Sequence, residues 1–312
     1  MMITDSCDIL IIGAGAAGMG AAIAARSAGA EKVYVVERDS APGGVLNQCV
    51  HHGFGLGYYK EDLTGIEYAR RTETVFESCG ALLLTDTMAM QLNPDKTAVL
   101  SSFGRMQKIS FAQCILASGC RERTIYSLPV AGTRPAGIFT AGTVQKALNV
   151  CHYDIADPVI ILGTGDIGQV VARQLVTEGK NVLCMVEQNS MPGGMQRNRR
   201  ECLEKYKIPV MTDSTITKIY GEKKITGVEI THLKTGEITF LPCAVLITAL
   251  GLIPEQELIS DFLEKDSLPD WLSLSGNCSF VHEIVDSVSA EAEKAGLSAA
   301  KKLQTAPDDA SG

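Results

Sequence analysis

Two short apolar runs, each ending in a glycine-rich turn, stand out in the hydrophobic pattern of the chain. The first run is Asp8-Ile-Leu-Ile-Ile-Gly13-Ala-Gly15-Ala-Ala-Gly18, and the second is Pro158-Val-Ile-Ile-Leu-Gly163-Thr-Gly165-Asp-Ile-Gly168. A continuous apolar run of this length is typical of a buried strand in a parallel sheet, and the glycines predict a tight turn into a helix. The pattern therefore predicts two strand–turn–helix units of the same kind.

The two units repeat at a fixed distance along the chain. The second glycine run begins 150 residues after the first, and Glu187, the acid after the next strand, lies 150 residues after Glu37. The triplet Pro42-Gly43-Gly44 returns as Pro192-Gly193-Gly194 at the same offset. A lone glycine run of this type is often only a tight turn, but two in register, each followed by an acid, predict two dinucleotide sites.

Each glycine of the run has a physical role in binding a dinucleotide. The first permits the turn, the second lets a pyrophosphate approach the backbone, and the third lets the helix pack closely on the strand. The helix N-terminus favours the negative charge of the pyrophosphate, and an acid about 20 residues later accepts hydrogen bonds from a ribose. Glu37 and Glu187 are the candidates for that acid.

Both halves of the chain then continue with a ribbon of short strands and close with an apolar strand that ends in glycine. The segment after residue 252 is too short for another domain, and residues 290–303 predict a helix of small residues that must pack on an existing core. We therefore expect a duplicated domain whose second copy is inserted into the first. The predicted ribbon strands are 82–85 and 97–101 in the first half and 216–219, 227–231 and 237–240 in the second, and the closing strands are 114–119 and 245–251.

The composition limits the classes of function. With 312 residues and 46% hydrophobic residues, the chain can form two domains with full cores, and its net charge of −8 argues against nucleic-acid binding. The apolar stretch 7–25 has no cationic lead and contains the first glycine run, so we expect no signal peptide or transmembrane segment and place the protein in the cytoplasm. None of the ten cysteines forms a C-x-x-C pair, and we predict no metal site.

These features resemble the two-dinucleotide-binding flavoproteins of the pyridine nucleotide-disulfide oxidoreductase superfamily. The resemblance covers nearly the whole chain and includes Ile115-Leu-Ala-Ser-Gly119, Gly251-Leu-Ile-Pro254, and Gly276-Asn277 before a helix, where that family has Gly-Asp. It implies an α/β fold of two tandem Rossmann-like three-layer domains, with an NAD(P)-binding domain (123–252) inserted into an FAD-binding domain (1–122 and 253–312). It also implies an FAD- and NAD(P)-dependent oxidoreductase, in which the protein aligns a nicotinamide with the flavin for hydride transfer.

The resemblance implies which residues line the two cofactors. The expected cofactor-binding residues are Gly13, Gly15, Ala16, Ala17, Gly18, Glu37, Arg38, Gly43, Gly44, Val45, Ala117, Ser118, Gly119, Gly163, Gly165, Asp166, Ile167, Gly168, Glu187, Gly251, Gly276 and Asn277.

A narrower resemblance is carried by three further segments: Pro42-Gly-Gly-Val-Leu-Asn-Gln-Cys-Val-His-His-Gly-Phe-Gly55, Ala117-Ser-Gly-Cys-Arg-Glu-Arg-Thr124 and Gly132-Thr-Arg-Pro-Ala-Gly-Ile-Phe-Thr-Ala-Gly142. They are similar to the FAD/NAD subunits that accompany anaerobic-type glycerol-3-phosphate dehydrogenase, and to relatives in opine oxidase, proline dehydrogenase and hydrogen cyanide synthase. Such subunits work beside another flavoprotein. The resemblance thus implies that the partner is a second flavoprotein dehydrogenase subunit, and it leaves a homo-oligomer open.

The chain departs from the disulfide reductases of that superfamily. They carry a C-x4-C pair beside the first Pro-Gly-Gly triplet or a C-x-x-C pair in the inserted domain, whereas here only Cys49 stands at the first place. Val170 replaces an acid that such enzymes often carry after the last glycine of the second run. Cys49 is the candidate catalytic residue, with two interpretations: a thiolate beside the flavin or a small side chain packed beneath its ring. For His51 and His52 the alternatives are a proton donor and a structural role.

Glu187 also bears on which nicotinamide nucleotide is used. A carboxylate aimed at the ribose would repel the 2′-phosphate of NADP, and Gln188-Asn189 offers that phosphate no positive charge, so the sequence favours NAD over NADP. The cluster Arg197-Asn-Arg199-Arg200 is typical of a solvated helix face, and its alternative role is to bind a 2′-phosphate or an acidic partner.

Three functions remain open at the level of the sequence. The first is an NAD(H)- and FAD-dependent subunit that exchanges electrons with a partner in a dehydrogenase complex. The second is a stand-alone NADH oxidase, peroxidase or disulfide reductase that uses Cys49. The third is a flavin-free nucleotide-binding scaffold or redox sensor, because the segment 258–274 is shorter than in similar proteins.

Overall fold

The computed structural model describes residues 3–264 and 267–305. The chain forms two compact units: the first consists of Met1–Arg121 and Ile253–Gly312, and the second of Glu122–Leu252. The second unit is therefore inserted between two segments of the first.

The described part of the chain contains both strands and α-helices. The strands are β1 (Ile3–Ile12), β2 (Val33–Val36), β3 (His52–Phe54), β4 (Leu63–Thr64), β5 (Leu82–Leu84), β6 (Thr87–Asn93), β7 (Thr97–Ser102), β8 (Arg105–Leu116), β9 (Cys120–Glu122), β10 (Ala131–Gly132), β11 (Ile138–Thr140), β12 (Val159–Leu162), β13 (Val182–Val186), β14 (Val210–Met211), β15 (Ser214–Gly221), β16 (Ile225–His232), β17 (Ile238–Leu241), β18 (Val245–Thr248), β19 (Leu252–Pro254) and β20 (Leu272–Leu274). The α-helices are α1 (Ala16–Ser27), α2 (Gly65–Ser78), α3 (Ala141–Asn149), α4 (Asp166–Thr177), α5 (Gln196–Asn198), α6 (Ser260–Leu263) and α7 (Val285–Thr305). A π-helical turn, Arg199–Glu204, follows α5.

The first unit is built around one sheet with the strand order β5-β2-β1-β8-β7-β6, and β20 pairs with β8 beside this path. Strands β5, β2, β1, β8 and β20 run parallel to their neighbours, whereas β6 and β7 form an antiparallel ribbon with β8. Helices α1, α2 and α7 contribute to the hydrophobic core on one face of the sheet, and the ribbon with α6 contributes to the core on the other. This is the three-layer arrangement that buries both faces of a parallel sheet.

The second unit repeats the plan with a parallel sheet of order β11-β18-β12-β13-β14. Helices α3 and α4 contribute to the core on one face, and a four-stranded sheet of order β10-β15-β16-β17 covers the other. Strand order reverses between β12 and β18, and in such sheets ligands bind beyond the carboxyl ends of the strands at this point. The turn after β12 lies there.

Helix α7 packs on α1 through small residues. A Cβ atom added to Gly296 would meet the carbonyl oxygen of Ala21 at 2.1 Å, and one added to Gly20 would meet the Cβ of Ala292 at 3.2 Å. Backbones this close leave no space for larger side chains, which explains the small residues predicted for this helix. Among the helices of the described residues, none combines the length and apolarity needed to cross a membrane.

The ribbon of the first unit differs from the prediction. Residues 82–84 form β5, which pairs in parallel with β2 at the edge of the main sheet, so the prediction that they belong to the ribbon was wrong. The missing ribbon strand is β6 (Thr87–Asn93), in which Met88 and Met90 are about half exposed. The three ribbon strands predicted for the second unit correspond to β15, β16 and β17.

Candidate functional site

The first cradle consists of the turn 13–18 between β1 and α1, the N-terminus of α1, and Glu37. Gly13 has a φ of +105°, and a Cβ there would lie 2.4 Å from the carbonyl oxygen of Ala117; a Cβ on Gly18 would lie 1.7 Å from the carbonyl oxygen of Gly13. A Cβ on Gly15, by contrast, would meet nothing within 4 Å. Glycine is thus required at positions 13 and 18 because two backbone segments pack closely together there. Gly15, by contrast, faces open space that a ligand can occupy.

The second cradle consists of the turn 163–168 between β12 and α4, the N-terminus of α4, and Glu187. A Cβ on Gly163 would lie 2.3 Å from the carbonyl oxygen of Ala249, and one on Gly168 would lie 2.8 Å from the carbonyl oxygen of Gly163. A Cβ on Gly165 would again meet nothing within 4 Å. Both turns therefore leave open space beside the glycine that a pyrophosphate approaches.

The two acids lie in their cradles but differ in their hydrogen bonds. Glu37 and Glu187 are 6% and 7% exposed. Glu37 accepts hydrogen bonds from the backbone N–H groups of Ala14 (2.8 Å) and Asp39 (2.9 Å). A carboxylate offers about four acceptor positions, so Glu37 retains capacity for ribose hydroxyls.

Glu187 already accepts four hydrogen bonds. One oxygen accepts from the backbone N–H (3.3 Å) and the hydroxyl of Thr164, and the other from the backbone N–H (2.9 Å) and the side-chain amide (2.8 Å) of Asn189. These bonds fill its acceptor positions, so Glu187 offers a ligand mainly its negative charge.

The other predicted residues of the first unit surround the first cradle or its rim. A Cβ on Gly44 would lie 3.3 Å from the Cα of Gly15, whereas Val45 is 64% exposed. Arg38 forms an ion pair with Glu255 (3.1 Å). The remaining predicted residues of this unit are Ala16 and Ala17, which are buried at the start of α1, Gly43, which begins the loop over the cradle, and Ala117, Ser118 and Gly119, which follow β8.

The predicted residues of the second unit have similar places. Asp166 and Ile167 form the first turn of α4, and Gly251 follows β18 with a φ of +91° and nothing within 4 Å of an added Cβ. Val170, where some relatives have an acid, is buried in the same helix.

Gly276 and Asn277 lie beside the first cradle. Gly276 has a φ of +74°, and a Cβ there would approach the Cβ of Ala17, in the first turn of α1, at 2.8 Å. Ser275 has a fully buried hydroxyl oxygen without a hydrogen-bond partner among the described residues. An unsatisfied buried hydroxyl is costly.

The structure adds His282 and Glu291, which sequence reasoning missed. The side-chain oxygen of Asn277 accepts from the backbone N–H of His282 (3.0 Å) and faces its Nδ1 (3.3 Å). The Nε2 of His282 lies 2.7 Å from Glu291, whose other oxygen accepts from the Gly276 N–H (3.1 Å). The NH2 group of Asn277 donates one hydrogen to the Sγ of Cys120 (3.6 Å), which leaves its second hydrogen for a ligand. The spacing of an asparagine, a histidine and a glutamate around this turn was the only available signal.

Cys49 is buried, and its burial opposes thiolate chemistry. The side chain is 7% exposed, and its thiol donates to the carbonyl oxygen of Val45 (3.3 Å). Burial raises the pKa of this thiol to about 12, so it stays protonated at neutral pH. The geometry therefore supports the packing interpretation of Cys49 over the catalytic one.

The two adjacent histidines interact with backbone carbonyl groups. The Nδ1 of His51 lies 3.1 Å from the carbonyl oxygen of His52, and the Nδ1 of His52 lies 3.0 Å from that of Asp62. These contacts correspond to the structural alternative. Within the described residues, no group of three or more His, Cys, Asp or Glu side chains is arranged to hold a metal ion.

The arginine cluster borders a surface cavity of about 930 Å³ in the second unit. Arg197, Arg199 and Arg200 line it together with Lys207 and Glu204. Arg200 pairs with Glu201 (3.1 Å), and Arg199 donates to the carbonyl oxygen of Pro192 (3.4 Å), in the loop that follows Glu187. The cavity thus carries excess positive charge near the loop of the second cradle.

The residues of the first cradle fit a dinucleotide such as FAD. Among the described residues no side chain caps the N-terminus of α1, and its first turn contains no acid, so the helix dipole favours an anion there. The open space at Gly15 and the remaining acceptor capacity of Glu37 match a pyrophosphate and an adenosine ribose respectively.

The comparisons with known proteins agree with this geometry. A family model described as pyridine nucleotide-disulphide oxidoreductase matches residues 7–269. An opine oxidase subunit of Agrobacterium tumefaciens (strain Ach5) is 30% identical over 217 residues, which cover 64% of this chain and 41% of that protein. Thioredoxin reductase of Streptomyces coelicolor is 24% identical over 264 residues, 84% of this chain and 79% of that one. The crystal structure of T. acidophilum thioredoxin reductase matches with a TM-score of 0.79 at 19% identity, covering 96% of this chain and 99% of that one.

The chain therefore belongs to the pyridine nucleotide-disulphide oxidoreductase family, whose members are FAD- and NAD(P)-dependent oxidoreductases. The predicted family, the predicted fold class and the predicted class of enzyme are confirmed. The chain spans only about half the length of the opine oxidase subunits that it matches, 41% of one and 51% of another.

Proposed function

We propose that this chain transfers a hydride between NAD(H), bound in the second cradle, and FAD, bound in the first, and exchanges electrons with a second flavoprotein subunit of a dehydrogenase complex. The observation that carries the proposal is the pair of matching cradles, each with an open second glycine and a buried acid. The flavin supplies the redox chemistry when it is bound, and the protein supplies binding and alignment.

In this proposal each group of the first unit has a defined task. The N-terminus of α1 and Gly15 bind the pyrophosphate of FAD, and Glu37 accepts hydrogen bonds from its adenosine ribose. The NH2 group of Asn277, oriented by His282, donates to the ribityl chain. Hydride transfer needs no acid or base at the nicotinamide, which agrees with a site that contains no activated nucleophile among its described residues.

The preference for NAD over NADP rests on charge. Glu187 is buried, and its carboxylate would repel a 2′-phosphate at the adenosine ribose. The positive cavity around Arg199 supports the opposite choice, because it borders the loop after Glu187. The negative charge of Glu187 has the larger effect, because Glu187 lies in the cradle itself whereas the arginines lie on its rim.

The partner role is supported by the relatives and by the cysteines. The relatives include proteins named as subunits, such as those of opine oxidase, and this chain spans about half of their length. The chain contains no C-x-x-C or C-x4-C pair, and burial raises the pKa of Cys49 to about 12. Electrons on the flavin therefore have no internal dithiol as acceptor, which favours an acceptor outside this chain.

The test compares the purified chain with the complex isolated from its native host. We expect NADH to reduce the flavin of the purified chain in a single anaerobic turnover, while steady turnover with oxygen or a small disulfide is slow. The isolated complex should contain a second flavin per chain and turn over faster with the substrate of the partner. Full turnover of the chain alone would contradict the partner role.

A disulfide reductase is the second candidate, because thioredoxin reductases match the chain over most of its length. It would use Cys49 together with an external thiol. Reduction of a low-molecular-weight disulfide by NADH or NADPH, lost in Cys49→Ala, would support this candidate over the proposed function. A colourless protein that takes up no added FAD would instead favour a flavin-free scaffold.

A further inference from the structure

The two cradles share their backbone plan but differ in polarity. Positions 150 residues apart carry apolar side chains in the first unit where the second unit has polar ones. The pairs with this contrast are Ala14 and Thr164, Ala16 and Asp166, and Met19 and Gln169.

In the second unit, polar side chains form hydrogen bonds with the loop that follows Glu187 and lies over the second cradle. One oxygen of Asp166, the first residue of α4, accepts from the backbone N–H of Met195 (2.8 Å) and from the side-chain amide of Asn198 (2.7 Å). The hydroxyl of Thr164 accepts from the Gly193 N–H (2.8 Å). We call the contacts of Asp166 with Met195 and Asn198 the Asp166 latch.

The first cradle has no such latch among the described residues. Its loop is held by a backbone hydrogen bond from the Gly43 N–H to the carbonyl oxygen of Ala14 (2.8 Å), and Asn47 bonds within the loop to Pro42 (2.7 Å). The first turn of α1 contains no acid, whereas that of α4 contains Asp166.

The acids next to the cradles show the same contrast. Glu37 accepts two hydrogen bonds from the described part of the chain, and Glu187 accepts four. The acid of the second cradle is thus satisfied internally and the first turn of its helix carries a carboxylate, while the first cradle has acceptor capacity at its acid and no acid in the first turn of its helix. A ligand of the second cradle gains less and must bring its negative charge towards a carboxylate.

The geometry points to Asp166 as the residue that makes the second cradle bind its nucleotide weakly and reversibly, while the first cradle holds its nucleotide tightly. The carboxylate at the start of α4 repels the pyrophosphate. This inference rests on the proposed function, in which the nicotinamide nucleotide must exchange in every turnover and the flavin must stay bound.

Two reciprocal substitutions test this charge effect. Asp166→Asn keeps the shape and one acceptor oxygen but removes the charge, so we expect the dissociation constant for NAD⁺ and NADH to fall about tenfold. Ala16→Asp places a carboxylate at the matching position of α1, and we expect the dissociation constant for FAD to rise about tenfold. Binding is measured by titration of the holoprotein with NAD⁺ and NADH and of the deflavinated protein with FAD.

Two controls separate charge from structure. Asn198→Ala removes one contact of the Asp166 latch but keeps the carboxylate, so it should not tighten the binding of NAD⁺. The difference between wild type and Asp166→Asn should shrink as salt is raised from about 0.01 M to about 1 M, because salt screens charges that are reached by solvent. A purely structural role of Asp166 would show no such dependence on salt.

The outcomes are distinct. An unchanged or weaker affinity for NAD⁺ in Asp166→Asn, or an unchanged affinity for FAD in Ala16→Asp, would overturn the inference and leave the proposed function intact. If Asp166→Asn does not fold, the result for Ala16→Asp decides. A wild-type protein that binds FAD but no nicotinamide nucleotide would overturn both the proposed function and this inference.

Discussion

At the scale of single residues, the proposed chemistry depends on the buried acids Glu37 and Glu187 and on Cys49. The sequence offset located Glu37 and Glu187, but it could not show that Thr164 and Asn189 fill the acceptor positions of Glu187. Those bonds depend on side-chain rotamers rather than on spacing. We therefore propose that the choice of nicotinamide depends mainly on the charge of Glu187.

We predict that Glu187→Gln weakens the discrimination against NADPH. The substitution removes the repulsion of a 2′-phosphate, so the ratio of kcat/KM for NADH to that for NADPH should fall about tenfold. The measurement is steady-state reduction of an artificial electron acceptor with both nucleotides. Glu204→Gln, on the positive cavity, is the matched control and should improve NADPH use only slightly. An unchanged ratio in Glu187→Gln would show that Glu187 does not select the nucleotide.

We predict that Cys49→Ala leaves NADH oxidation with an artificial acceptor within about twofold of wild type, since a large change would require a transition-state role. Because its folded pKa is raised from 9.0 to about 12, the thiol stays protonated at neutral pH, and the protein loses stability through this group as pH rises from about 9 to about 12. A thiol reagent at pH 8 should label exposed Cys151 quickly and Cys49 only after unfolding. Rapid labelling of Cys49 in the folded protein would contradict its assignment as a packing residue.

At the scale of elements, the strand–turn–helix units were predictable because their glycines serve fixed backbone needs. The hydrophobic pattern of the sequence fails to predict strands whose pairing is set by tertiary contacts. Strand β5 was assigned to the ribbon because its apolar residues suit either the parallel edge of the sheet or the ribbon. Strand β6 was missed, and a β-bulge interrupts its pairing with β7.

The glycines of the first cradle give a paired prediction. Gly18→Ala should destabilise the protein by about 3 kcal/mol, because its Cβ would lie 1.7 Å from the carbonyl oxygen of Gly13. Gly15→Ala should leave stability nearly unchanged and abolish flavin binding, because its Cβ enters only the open space of the cradle. The measurements are chemical denaturation of the apoprotein and flavin content. A Gly15→Ala protein with full flavin content would show that the pyrophosphate lies elsewhere.

The turn before α7 gives a second prediction at this scale. His282→Ala removes one polar partner each from Glu291 and from the side-chain oxygen of Asn277. We therefore expect the free energy of unfolding to fall by about 1–3 kcal/mol and the affinity for FAD to weaken. Exposed Glu283→Gln, one residue further along, is the control and should change neither quantity. If His282→Ala lowers stability but leaves the affinity for FAD unchanged, the network is structural and does not position Asn277.

At the scale of the whole molecule, an inserted domain explains how one chain contains two matching cradles. The sequence indicated this arrangement because the offset of 150 residues persists from the glycine run to the Pro-Gly-Gly triplet, and because the last segment is too short to form a core. It could not indicate the His282–Glu291 contact or the Asp166 latch, since neither pair belongs to a motif with a fixed spacing. Such contacts appear only once the loops are placed.

The most direct test of the central claim, that the chain binds a flavin and a nicotinamide nucleotide for hydride transfer, is an anaerobic titration of the purified protein followed by visible absorption. We predict a yellow protein, or one that becomes yellow with added FAD, whose flavin absorption is bleached by about one equivalent of NADH and less readily by NADPH. A protein that takes up no FAD, or whose bound flavin keeps its oxidised spectrum with both nucleotides, would contradict the account.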